Sequence, residues 1–416
     1  MVSSRASRAA VAASTVALVV AACAATTPPP LPTPSAPVPL RSPTPTATPE
    51  RSIRATPSPA SELPGELADE LEIASIAPEV SGNVLTFATD GASVLFGSDR
   101  SADAAPGSAP DLWRVTPGPS PEPELVWANP ERAHSIVGIG GDLGTIAWVE
   151  TPVTGERAWN LWLMPRGSSE AVLLDSHPGD ESVSSLVPSF SIYEDTIVWT
   201  AFDRGTDAAV SQLKVARWPA WEGTVLLERS AAEAELWLPS LYGAQLAYTE
   251  VRYSADRTSD ERHVYLATLG ETMSEPQRLD ESGRATMPLS VSGAVIWKET
   301  DPGFNMFNWG TIVRHDLETG LSESLVADPQ EYVNYPSAGS RYLAWWGADS
   351  FSFGVYDMLR DEPVTIVHYP DASQEGVLRP HIAWDLVVWL HVDSDAGADG
   401  TSELRYTMLP PLKPLP

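Results

Sequence analysis

The chain has 416 residues, enough for two or three average domains or one large repeat domain, with 26 Lys+Arg against 55 Asp+Glu and a formal net charge of −29. A surface this acidic repels nucleic acid and anionic membranes, which argues against tracking a phosphate backbone and favours cationic ligands or partners. The 39 Pro and 15 Trp separate along the chain, and its single Cys rules out an internal disulfide.

Residues 1–22 read as an export signal: Arg5 and Arg8 form a short basic region, and Ala9 to Ala22 is an apolar run too short for an ordinary membrane-spanning helix. The run ends Val20-Ala21-Ala22-Cys23, which resembles the lipobox of bacterial lipoproteins. The resemblance implies cleavage before Cys23, a diacylglycerol on its sulfur and a lipid anchor on the extracytoplasmic side of the membrane. The plainer alternative is an ordinary signal peptide, or a helix anchor, with a chance cysteine. Removing Arg5 and Arg8 leaves 24 basic against 55 acidic residues, a net −31.

Residues 23–65 hold the cysteine and then, from Thr26 to Gly65, a Pro/Thr/Ser-rich run. Proline removes amide donors and favours polyproline II, so the run is read as a disordered, semi-rigid stalk rather than part of a core. At about 3.1 Å per residue it would reach on the order of 100 Å and hold the following domain off the membrane.

From residue 69 to 411 the pattern changes to short apolar runs bounded by Gly, Pro, Asp and Ser, the signature of many β-strands. The clearest unit is Thr286 to Glu299, TMPLSVSGAVIWKE, a proline-marked extended segment, a Ser-Gly turn and an apolar run containing Trp297. The phrase recurs. Aligned on the aromatic of the second strand, the units fall at Phe96, Trp148, Trp199, Tyr248, Trp297, Trp345 and Trp389, with gaps of 52, 51, 49, 49, 48 and 44 residues.

Each unit divides into strands A to D, for example Ile136–Ile139, Thr145–Glu150, Asn160–Met164 and Ala171–Asp175. Four-stranded units at this period predict an all-β propeller, in which each sheet is buried between neighbours and the strand B aromatic fills the gap. The last unit offers A, B and C (Leu378–Ala383, Leu386–His391, Glu403–Met408) but no D, while Glu70–Ile76 precedes the first unit. An N-terminal strand completing the C-terminal blade would remove an exposed edge and give seven blades. The irregular first unit, Asn83 to Pro130, leaves six and eight open at this point.

With Pro188, Pro239, Pro288, Pro336 and Pro380 marking strand A, and turns at Tyr242-Gly243 and Ser292-Gly293, the units resemble TolB-like bacterial propeller repeats. The usual Ser-Pro-Asp-Gly wording of those repeats is absent, so the partners of TolB do not carry over. WD40 repeats fit less well: Trp384-Asp385 lies between A and B instead of ending C.

Propellers bind mostly on the face carrying the D–A and B–C loops. Two residues past the strand B aromatics stand Glu150, Glu250, Glu299 and His391, a candidate ring of ligands for a metal or amine at the channel mouth. The bland alternative is local pairing, Glu250 with Arg252 and Glu299 with Lys298. A second candidate surface is aromatic: Phe304, Phe307 and Trp309 in one B–C connection, Phe351 and Phe353 in the next. Trp309 and Phe353 also fit as the first residues of strand C. The strand A starts add Trp237, Arg284 and Arg379, the arginines suited to an anionic group or to neutralising nearby carboxylates. Arg217-Trp218-Pro219-Ala220-Trp221, between C and D, is expected to be a packed loop on the opposite face.

No nucleophile elbow and no HExxH spacing occurs. The sequence therefore predicts a monomeric, non-catalytic, lipid-anchored propeller of the cell envelope that binds a protein or a glycan and needs no cofactor. The alternatives are a carbohydrate-active hydrolase or lyase on the same scaffold, or a structural lipoprotein without a small ligand.

Overall fold

The computed structural model describes residues 52–53, 73–76, 84–98, 111–118, 121–129, 134–153, 158–178, 187–204, 209–254, 259–300, 310–326, 333–346, 352–359, 361–368, 375–393 and 402–409. Among them the regular elements are all β-strands, arranged in seven sheets built on four antiparallel strands each. Six are consecutive in sequence and pair in the order A-B-C-D: blade 1 (Val84–Ala128), blade 2 (His134–His177), blade 3 (Phe190–Ser230), blade 4 (Glu235–Arg278), blade 5 (Ala285–Val326) and blade 6 (Asn334–His368). Blade 7 takes A, B and C from Glu375–Ala383, Leu386–Asp393 and Ser402–Met408. Its outer position is filled by Ala74–Ile76, antiparallel to C, with Ala74 opposite Tyr406 and Ile76 opposite Leu404. The missing strand thus comes from the N-terminal side, and the ring has seven blades. Ser52–Ile53 adds a short parallel strand outside Ser322–Val326 of blade 5.

Strand B is apolar without alternation because both its faces are buried, one against each neighbouring blade. Successive side chains point to opposite faces. In blade 2, Ile146 and Trp148 pack on blade 1 while Ala147 and Val149 pack on blade 3. Seven hydrophobic clusters fill the seven gaps between blades, including the one that joins blade 7 to blade 1. Each holds one strand B aromatic facing the preceding blade, and none of these rings is more than 8% exposed. At about 25 cal/mol per Å² of apolar surface, such ring burials are the main cohesive term between sheets.

The A strands touch one another from blade to blade and form the inner ring. Here the recurring proline does more than mark a strand. In blades 4 to 7 the A–B register slips by one residue at the X-Pro step, between Trp237 and Ser240, Thr286 and Leu289, Asn334 and Ser337, and Leu378 and His381. The residue before each proline takes a left-handed backbone: Leu238 (φ 50°), Met287 (φ 54°), Tyr335 (φ 45°) and Arg379 (φ 37°). Each is therefore a β-bulge that re-aims one side chain of the inner strand. Serines just past the prolines stitch neighbouring A strands together, Ser240 Oγ accepting from Ser290 N at 2.8 Å and Ser337 Oγ from Ile382 N at 3.1 Å.

On the face of the A–B turns the ring is latched across its seam. Trp384, in the turn of blade 7, donates its indole N–H to Asp142 Oδ1 of blade 2 at 2.8 Å, passing over the turn of blade 1. The other oxygen of Asp142 accepts from Glu194 N of blade 3 at 2.6 Å. Gly339 of blade 6 lies so close to the Trp384 backbone that no side chain fits there. Trp384-Asp385 is thus a closure device rather than a WD40 signature. The Arg217–Trp221 loop on this face divides its aromatics: Trp221 is buried, as expected of a packed loop, but Trp218 is 63% exposed.

Candidate functional site

The opposite face collects the D–A and B–C connections and the ends of strand B. Glu150 lies near the end of strand B in blade 2 (Thr145–Pro152) and is 3% exposed. Oε1 accepts the indole N–H of Trp127 at 2.6 Å and of Trp148 at 3.4 Å, and Oε2 accepts that of Trp162 at 3.0 Å. The three rings pack with centroids 5.1 to 6.4 Å apart, closing over the carboxylate.

Glu250, at the same place in blade 4, is 1% exposed and faces guanidiniums instead. Arg252 donates Nε and Nη2 to Oε1 at 2.8 and 2.5 Å, and Arg229, from the end of strand D in blade 3, donates Nε to Oε2 at 3.4 Å. The hydrogen bond to Glu250 raises the Arg252 pKa above its ordinary value. Burial, then the Glu250 charge, raises that of Tyr248.

Glu299 pairs with Arg284 at 3.4 Å, not with its neighbour Lys298. Lys298 points from the other side of the strand toward blade 6, where Nζ donates to Asn334 Oδ1 at 3.1 Å. It is fully buried, and burial, with Arg262 as a second cause, lowers its pKa to about 7. His391 sits buried at the end of strand B in blade 7, opposite Glu403. The four suggested ligands stand in blades 2, 4, 5 and 7, and among the described residues no group of three His, Cys, Asp or Glu is placed to hold a metal ion.

Of the aromatic candidates, Phe304, Phe307, Trp309 and Phe351 lie outside the described residues. Phe353 is the second residue of strand C, is 1% exposed and packs 5.3 Å from Trp389 in the gap between blades 6 and 7, which leaves it no surface for a partner. Trp237 is half-buried and donates its N–H to buried Glu235 at 3.2 Å, as does Tyr253 OH. Arg284 neutralises Glu299, the local role weighed for it. Arg379 behaves differently. Exposed, and aimed by its bulge, it lies 4.2 Å over the Tyr335 ring of the neighbouring inner strand and donates to Tyr335 OH at 3.3 Å. Burial, then the Arg379 charge, lowers the pKa of nearby His381 to about 4.

The sequence missed Tyr335 and Arg229. Tyr335 is the residue before Pro336, and its equivalence to Arg379 was visible in the repeat; the left-handed backbone was not, because neither residue is glycine. Arg229 is the next-to-last residue of strand D in blade 3, 21 residues before Glu250 in sequence.

No protein-family model and no curated protein matches this chain. Solved structures do. A prolyl endopeptidase superimposes with a TM-score of 0.55 at 13% identity over 81% of this chain, which spans about half (51%) of that enzyme's length. An oligogalacturonate lyase solved with manganese gives 0.52 at 14% identity, covering 82% of this chain and 96% of its own. The propeller domain of the Trilobed protease from Pyrococcus furiosus gives 0.53 at 9%, covering 78% and 92%; it has an open velcro topology, whereas Ala74–Ile76 completes blade 7 here. TolB from Acinetobacter baumannii is also similar, with a TM-score of 0.38 at 13% identity over 63% of this chain and 60% of its own. At these identities the likeness shows the fold alone, and the fold is a seven-bladed β-propeller.

Proposed function

We propose that this chain is a lipid-anchored interaction module of the bacterial cell envelope. Cys23 carries the lipid, residues 26–65 hold the ring off the membrane, and the face of the D–A and B–C loops receives a protein or a glycan. The observation that supports this best is the inner-strand ring of bulges. Four successive blades hold a non-glycine residue at positive φ, a conformation costing roughly 1 kcal/mol or more per site and concentrated at functional positions. Those positions bring an exposed guanidinium, a phenol ring and two apolar side chains (Arg379, Tyr335, Met287, Leu238) to the inner strands, outside the cores between blades. That is a recognition set: aromatic and arginine residues dominate interface energetics. The buried carboxylates Glu150, Glu250 and Glu299 are each engaged by indoles or arginines, which supports binding over acid–base catalysis.

The test is capture from envelope extracts and on a glycan array with the full chain. Tyr335→Ala with Arg379→Ala should weaken capture at least about tenfold while leaving the melting transition in place; undiminished capture contradicts the reading. Alanine at Phe304, Phe307 and Trp309 together checks the neighbouring loop in the same assay. Radiolabelled lipid should be absent from Cys23→Ala, and lipid that persists there overturns the anchor.

A further inference from the structure

We infer that the cleft between blades 3 and 4 binds a small zwitterion, a molecule carrying a carboxylate and an ammonium a few atoms apart. The cleft, about 280 Å³, is lined by Arg229, Glu233, Ala234, Glu250 and Arg252. It opens on the face of the D–A loops but stands apart from Tyr335 and Arg379 in blades 6 and 7, so it does not rest on the interaction reading.

Glu250 builds the site. Its carboxylate is 1% exposed and fixes both guanidiniums by their Nε atoms, at 2.8 Å from Arg252 and 3.4 Å from Arg229. The side chains of Arg252 and Arg229 remain 52% and 33% exposed. Arg252 also spends Nη2 on Glu250 and Tyr265 OH, and Arg229 spends Nη1 on the Glu228 carbonyl. Arg252 Nη1 and Arg229 Nη2 have no partner among the described residues. Two pre-oriented N–H groups on planar forks suit a carboxylate.

Glu233, exposed on the turn held by its N–H to Ser230 O at 2.8 Å, supplies the acceptor for the other end. Charge then selects the ligand. The lining carries two guanidiniums and two carboxylates, so it is neutral overall and polar at both ends. A polyanion would meet the field of a chain at −29, and a bare cation would meet the arginines. A zwitterion matches both ends, and the volume, at the small end of ligand sites, suits an amino acid or a dipeptide.

The experiment is calorimetric titration of the full chain at constant low ionic strength with glycine, diglycine, acetate and methylammonium chloride. Glycine or diglycine should saturate in the millimolar range, acetate several-fold more weakly, and methylammonium not at all. Arg252→Gln should weaken the zwitterions at least about tenfold. Arg252→Lys, which keeps the charge and loses the fork, should fall between. Glu233→Gln, which leaves the Glu250–arginine contacts in place, should weaken zwitterions and leave acetate unchanged. Lack of saturation by either zwitterion up to about 100 mM overturns the site. So does acetate binding as tightly as glycine with no effect of Glu233→Gln, which describes a plain anion site. Affinities that survive Arg252→Gln in a folded protein overturn it as well.

Discussion

Blades 2 and 4 hold a buried glutamate at the same point of the repeat and treat it in opposite ways. Glu150 lies under three indoles; Glu250 lies between two guanidiniums. The partners from the preceding blade are equivalent too, since Trp127 and Arg229 are each the next-to-last residue of a strand D. Repeat geometry therefore fixes where this side chain sits and that the neighbouring outer strand reaches it. The residue on that strand decides the outcome. Tryptophans shut the gap into polar core, while Arg229 and Arg252 stay partly exposed and line a cleft.

The largest expected effect breaks the blade 2 arrangement. Glu150→Ala leaves three indole N–H groups without their acceptor, each costing about 1–3 kcal/mol when buried, so a loss of about 3–5 kcal/mol is expected in urea unfolding. Glu250→Ala should cost only about 1–2 kcal/mol, because both arginines can turn to water. Equal losses at the two sites would erase the distinction.

A third buried charge sharpens it through pH. Lys298 stands one residue past the strand B aromatic of blade 5, on the other face of the strand, with its pKa lowered by burial to about 7. Between about pH 7 and its unfolded value near 10.4, the unfolded chain binds the extra proton, so stability rises with pH across that window and levels off on either side. Against Lys298→Met, wild type should gain a few kcal/mol from pH 7 to pH 10. Parallel pH profiles of the two proteins would show that Lys298 stays charged when folded.

Salt gives the smallest effect. Raising it to about 1 M shortens the screening length to about 3 Å, which should cost the partly exposed Arg–Glu250 pairs tenths of a kcal/mol and leave Glu150 untouched. The readout is the difference between each glutamate's alanine variant and wild type at the two salt levels.

The fold was legible because blades repeat. Seven aromatics at near-even spacing and a unit missing strand D were enough to place Ala74–Ile76 in blade 7. Function was less legible because it depends on what differs between repeats. Glu150, Glu250 and Glu299 looked alike along the chain, and only the folded structure shows that one meets indoles and the others arginines. The pairing of Glu250 with Arg252 was readable from adjacency on the strand. That of Glu299 was not, since Lys298 is adjacent in sequence yet on the opposite face, and Arg284 reaches it from just before strand A. The pre-proline bulges were hidden for a similar reason: proline disfavours helical backbone before it, but nothing in Leu238, Met287, Tyr335 or Arg379 announces a positive φ.

The central claim is that the face around Arg379 and Tyr335 is the one that meets a partner in the envelope. Photo-crosslinking in intact cells tests it most directly, with the reactive side chain placed at position 379 in one protein and at position 218, exposed on the opposite face, in another. A discrete crosslinked species from 379 and none from 218 is the expected result. Crosslinking from 218 alone would contradict it.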